Sequence, residues 1–223
     1  MNETSPKKVL REIKTELKSK SSLRERMIAN SRKINRLSKE SIMLIHRGNI
    51  KKAERLVGTA EKLLKKTLKI LAPTPNLQNS GPLYNASQEY AEASILLKLV
   101  KKGRCPNPSE IGVTSEAYVL GLADVVGELR RRTLGAINDG DVEAAERASQ
   151  LMEDIYNELV SLNEHVFSVL PNLRHKCDVA RRLVELTSGD VILERRRKHL
   201  ETSLKRMEGR AREQHSKPRR RSR

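Results

Sequence analysis

Two short stretches place carboxylates at helical spacing in a chain otherwise rich in lysine and arginine. Glu89 and Glu92 stand three residues apart in QEYAEA, and Asp124 and Glu128 stand four apart in GLADVVGELRRR. On a helix, residues three or four apart share a face. Tyr90, Ala91, Ala93, Ile95 and Leu96 surround the first pair; Leu122, Ala123, Val125, Val126 and Leu129 surround the second. A carboxylate among such neighbours must be paired, protonated or metal-bound. If the two helices are antiparallel neighbours joined by the 103–114 loop, the four acids converge. Four hard oxygen ligands at close range suit Mg²⁺ or Mn²⁺. The spacing also allows plain ion pairing. Glu128 lies three and four residues before Arg131 and Arg132, Asp124 can face solvent, and Glu89 can pair with a distant lysine.

Arg130, Arg131 and Arg132 lie two to four residues after Glu128, and Lys98 follows Glu92 on its helix. These four are the candidate phosphate contacts, as a guanidinium clamps phosphate well. Arg132 is preferred among the arginines because a step of four returns it to the face of Glu128. A solvated, salt-bridged face is the alternative. Gly121 and Gly127 interrupt the same helix, at about 1 kcal/mol each relative to alanine. That points to close approach by another backbone, or by substrate. With one Phe, four Tyr and no Trp, the chain has few side chains on which bases could stack. Tyr84, Tyr90 and Tyr118 are the nearby ones, and at least two of them read as core.

These residues need helices to position them. The apolar content is mainly Leu, Val, Ile and Ala, few alternating segments occur, and charges recur every three to four residues. The pattern predicts an all-α protein. Pro6 opens a first helix, softened at Ser21-Ser22 and ending near Arg47, with a turn at Gly48-Asn49. A second helix covers about 50–71 and a third about 83–102. A fourth, capped by Thr114-Ser115, runs to about 137, and the Asn138–Asp141 turn leads into a long fifth. Pro171 ends that helix or starts the sixth, and Ser188-Gly189-Asp190 separates off a seventh. GNIKKAER and GDVEAAER echo each other as two similarly capped turns, with Asn49 and Asp141 as N-caps. Residues 1–214 form a single domain and 215–223 a basic disordered tail.

The net charge of +17 is uneven: +13 over 1–70, −5 over 71–193 and +9 over 194–223. A basic periphery suits a polyanion, since phosphate neutralisation releases counterions. The acidic middle needs another role. Cys105 and Cys177 form no CxxC pair, so neither a zinc site nor a disulfide framework is indicated. No apolar run approaches 18 residues and the first residues lack a signal-peptide core, so no membrane association and a cytoplasmic location are expected.

QEYAEA, LGLADVVGELRRR, the NDGD turn and LPNLRHKCDVARRLVE together resemble the translin / translin-associated factor X family, over about residues 25–200. The resemblance implies a seven-helix all-α subunit that assembles into a closed octameric shell around RNA or single-stranded DNA. It also implies the factor X-like, nuclease-type subunit, which keeps all four acids, and an archaeal-type homologue, because the loop between the two motifs is short. Such a homologue would build a homo-octamer from one kind of chain. Glu89, Glu92, Asp124 and Glu128 would then be catalytic metal ligands of an Mg²⁺-dependent endoribonuclease. Its substrate would be single-stranded or short RNA, cut by metal-assisted phosphodiester hydrolysis. The alternative is a non-catalytic RNA or single-stranded-DNA scaffold of translin type. A di-iron oxidase would call for Glu-x-x-His, and nucleophilic hydrolase and P-loop readings for G-x-S-x-G and G-x-x-x-x-G-K-[ST]. None of these motifs occurs.

Overall fold

Each helix begins and ends where local chemistry directs. Pro6 sits in the first turn of α1 (Pro6–His46), where its missing N–H is no loss. Gly48 closes α1 with a left-handed φ of 73°, and the Asn49 N–H donates back to Leu44 O at 2.9 Å. Asn49 then caps α2 (Ile50–Leu71), its Oδ1 accepting from Lys52 N at 3.4 Å. The turn after α6 (Ser115–Asn138) repeats this design. Gly140 adopts φ 73°, the Asp141 N–H reaches Ala136 O at 2.9 Å, and Asp141 Oδ1 accepts from Ala144 N at 2.9 Å. The echo in sequence is an echo in capping, and it opens α7 (Val142–Ser161).

The structure is a computed structural model that describes residues 5–78, 81–162 and 164–216. The remaining helices are α3 (Pro75–Gln78), α4 (Gly81–Lys102), α5 (Pro108–Ile111), α8 (Glu164–Val169) and α9 (Pro171–Ser216). No strand occurs among the described residues. The expected proline-rich loops hold the one-turn helices α3 and α5. Residues 217–223 of the basic tail lie outside the described residues, and α9 continues through Ser216.

Two expectations fail. Pro171 starts a helix, one of the two readings of it, but the fifth helix stops at Ser161 instead of running on toward it; the Ser161 hydroxyl is of the kind that competes for backbone hydrogen bonds. No break occurs at Ser188-Gly189-Asp190, and α9 is one helix of 46 residues. Gly189 keeps a negative φ, while Thr187 and Val191 on either side are buried. Side-chain burial there outweighs the roughly 1 kcal/mol that a mid-helix glycine costs.

The residues group into two compact units. The first is Met1–Val125 with Ser161–Cys177. Here α1 packs on both α2 and α4, with Ile34, Ile45, Leu64, Leu83, Tyr90 and Leu96 at 0–1% exposure. Ala53, Ala60, Ala86 and Ala93 are sealed at 0%, small residues that let helices approach closely. The second unit is Val126–Val160 with Asp178–Arg223. Its core joins Val126 and Leu129 of α6, Ala145, Met152 and Ile155 of α7, and Ala180, Val184 and Val191 of α9. Lys198 spans from α9 to both oxygens of Glu143 on α7 at 3.0 Å.

Candidate metal centre

Gly121 brings the two acidic motifs together. A Cβ added there would lie 2.9 Å from Ala91 Cβ, Gln88 O and Glu92 N, closer than a real Cβ ever comes to backbone. Only glycine lets α6 press this tightly on α4, and the crossing falls on the QEYAEA segment. Gly127 does not share that role. Its added Cβ would meet Leu183 Cδ1 at 3.9 Å, an ordinary contact.

Three residues after Gly121, Asp124 reaches α4. Its Oδ2 accepts from Gln88 Nε2 at 2.6 Å, and its Oδ1 is ion-paired with Lys176 Nζ from the second turn of α9. The side chains of Asp124 and Lys176 are 29% and 21% exposed, a setting in which charge is only partly screened. Glu92, one turn after Gln88, is buried. Glu89 points to α1, its Oε1 3.4 Å from Lys39 Nζ. Glu128 follows Asp124 by one turn of the same helix and belongs to the second unit. Glu92 and Glu128 are also engaged in interactions.

Among the described residues, no three His, Cys, Asp or Glu side chains are gathered closely enough to share an ion. The donor chemistry nevertheless fits a hard divalent cation: Glu89, Glu92 and Asp124 offer only carboxylate oxygens, on two helices fixed against each other at Gly121. Protein cations now neutralise Glu89 and Asp124, so an ion bound at Asp124 would have to displace Lys176.

The proposed phosphate contacts divide. Arg130 turns inward, its Nη1 donating to Thr187 Oγ1 at 2.6 Å and its Nη2 lying 3.7 Å from Asp190. Arg131 is exposed. Arg132 is half-buried, and desolvation pushes its guanidinium pKa down. Lys98 is held 3.2 Å from Glu110, which also takes a two-pronged contact from Arg104 at 2.9 Å. With Asn107 N–H as well, these cations hold the Glu110 carboxyl well below the usual carboxylate range. Tyr90 is core at 1% exposure. Tyr118 is half-buried and donates to Pro106 O at 2.7 Å, which leaves neither ring presented for stacking.

Sequence reasoning missed Lys39 as the partner of Glu89 by number, and missed Gln88 and Lys176 altogether. Gln88 had a signal: it precedes Glu92 by one helical turn and so shares its face. Lys176 had none, because nothing local to RHKCD tells which distant helix it meets.

Comparison with known proteins agrees with this architecture. Residues 83–210 match the Translin family. An uncharacterized protein of Methanocaldococcus jannaschii is 35% identical over 195 residues, covering 86% of this chain and 85% of its own. Among solved structures, AfC3PO is 33% identical with a TM-score of 0.77, over 83% of this chain and 96% of that one. AfC3PO in complex with duplex RNA is 32% identical with the same TM-score and coverage. Apo-NeC3PO superposes with a TM-score of 0.76 at 24% identity, a likeness of fold. The chain is an all-α member of the translin family.

Proposed function

We propose that the protein is an Mg²⁺-dependent endoribonuclease of the factor X-like type, cutting single-stranded or short RNA. The observation that carries this reading is the contact of the two acidic motifs, fixed by Gly121 and by the Gln88–Asp124 hydrogen bond. Glu89, Glu92 and Asp124 would hold the ion; Glu128 is the fourth acid that the family resemblance assigns to the set. Bound there, Mg²⁺ supplies Lewis acidity toward phosphate oxygens and a more acidic water. The chain's own residues do the remainder. Glu92 is the buried acid of the α4 pair. Glu89, the more accessible of the two, would take a proton from water. Arg131 and the many cations of α1, whose Lys39 touches the site, would neutralise the RNA backbone.

RNA as the ligand is supported by the duplex-RNA complex of AfC3PO. Assembly of like chains is supported by apolar side chains left in water. Val179, Leu186, Leu193, Leu200 and Met207 recur every seven residues along α9 at 42–67% exposure. The proposed arrangement is a homo-octameric shell acting in the cytoplasm. One observation favours a second reading: Lys39 and Lys176 already neutralise Glu89 and Asp124, as they would in a scaffold that binds RNA without cutting it.

Cleavage of labelled single-stranded RNA decides between the two. The nuclease cuts with Mg²⁺, stops with EDTA, and is lost in Glu89→Ala and Asp124→Ala while RNA binding persists. Tight metal-independent binding with no cutting would establish the scaffold.

A further inference from the structure

Asp124 has both oxygens occupied by the protein itself, Oδ2 by Gln88 and Oδ1 by Lys176. Lys176 is not a surface lysine that strayed. It stands in the second turn of α9, within the first unit, with its side chain 21% exposed. Cys177 beside it is buried at 7%, as is Leu173, three residues earlier, at 0%. These two anchors pin the turn that presents the ammonium to Asp124.

We infer that Lys176 is a built-in counter-cation that occupies the carboxylate centre when no metal is bound and competes with the metal for Asp124. Glu89 and Glu92 of α4 and Asp124 of α6 are each at least partly withdrawn from water, where an unpaired charge is costly. An ammonium on a flexible four-carbon stem can neutralise one of them and then withdraw. A dication outbids it on charge, but only after breaking this partly shielded pair. Metal affinity is thereby held down and the metal-free fold held together. Once displaced, the ammonium stays beside the centre, next to where an anionic substrate would sit. The inference rests on the metal reading of the acids.

The test is Mn²⁺ binding, by calorimetry or by the loss of the free-ion paramagnetic resonance signal, to the full chain and to Lys176→Met. The variant keeps the length of the stem and removes the charge. It is expected to bind Mn²⁺ about tenfold more tightly, to melt at lower temperature in EDTA, and to gain more from added metal. Binding that is equal or weaker in the variant, with the wild type still binding, would overturn the counter-cation role alone. Absence of Mn²⁺ binding in both would sink the metal reading itself. If Lys176→Met does not fold, acylation of Lys176 in the wild type, followed by mass spectrometry, gives the same answer. Added Mg²⁺ should speed labelling several-fold if it displaces the ammonium, and an unchanged rate overturns the displacement.

Discussion

Gly121 and Asp124 carry most of the consequence at the scale of single residues. Gly121→Ala would set a methyl group 2.9 Å from two backbone atoms of α4, which cannot yield as a side chain would. The expected loss is about 1–3 kcal/mol in urea unfolding, together with weakened metal binding as α6 lifts from Gln88 and Glu92. Gly127→Ala is the control on the same helix. Its added Cβ has 3.9 Å of room, so it should be neutral or gain up to about 1 kcal/mol from helix propensity. Equal effects in the two variants would remove the close crossing from the account. The acids themselves were legible in the sequence because charge inside an apolar helical pattern is conspicuous. Their cationic partners were not, since Lys39 and Lys176 lie about 50 residues from Glu89 and Asp124.

At the scale of elements, α9 and the 103–112 segment give tests of opposite kind. Gly189 sits within a continuous helix, with nothing within 4 Å of an added Cβ. Gly189→Ala should therefore stabilise, by about 1 kcal/mol. A turn at that point, as Ser188-Gly189-Asp190 suggests, would make the same change destabilising. In the loop, Glu110 completes a capping box with Asn107 and gathers Arg104 and Lys98. Its pKa is depressed in the folded state, so its contribution is present above the ordinary carboxylate range. It is lost as pH falls through the lowered folded value. Glu110→Gln should open residues 103–112 to proteolysis at neutral pH, and the gap from wild type should close in strong acid. A gap that persists in acid would place the effect elsewhere than in the ionised carboxyl.

The whole molecule leaves long helices without cover. Residues 6–22 of α1 are exposed throughout, including Leu10 and Leu17 at 64% and 58%. On α9, Leu186, Leu193, Leu200 and Met207 are 60–67% exposed. Helical stability in water comes mostly from packing an apolar face, and these faces have none within one chain. Light scattering should therefore return a multiple of the 25.3 kDa chain mass. The double variant Leu186→Lys with Leu193→Lys should shift the protein toward smaller species. A wild-type monomer would undercut the shell and leave the metal centre untouched.

Helix content, most helix ends, the two glycine-capped turns and the identity of the acids were determined by the sequence itself. Each depends on residues within a turn or two of one another: periodic apolar positions, an N-cap, a glycine free to adopt positive φ. Tertiary structure decided the rest. It ran α9 through Gly189 because neighbouring side chains are buried there, turned Arg130 inward to Thr187 and Asp190, and assigned Lys39 and Lys176 to the acids. Those outcomes depend on which distant helix lies alongside, and side-chain spacing along one helix carries no record of it.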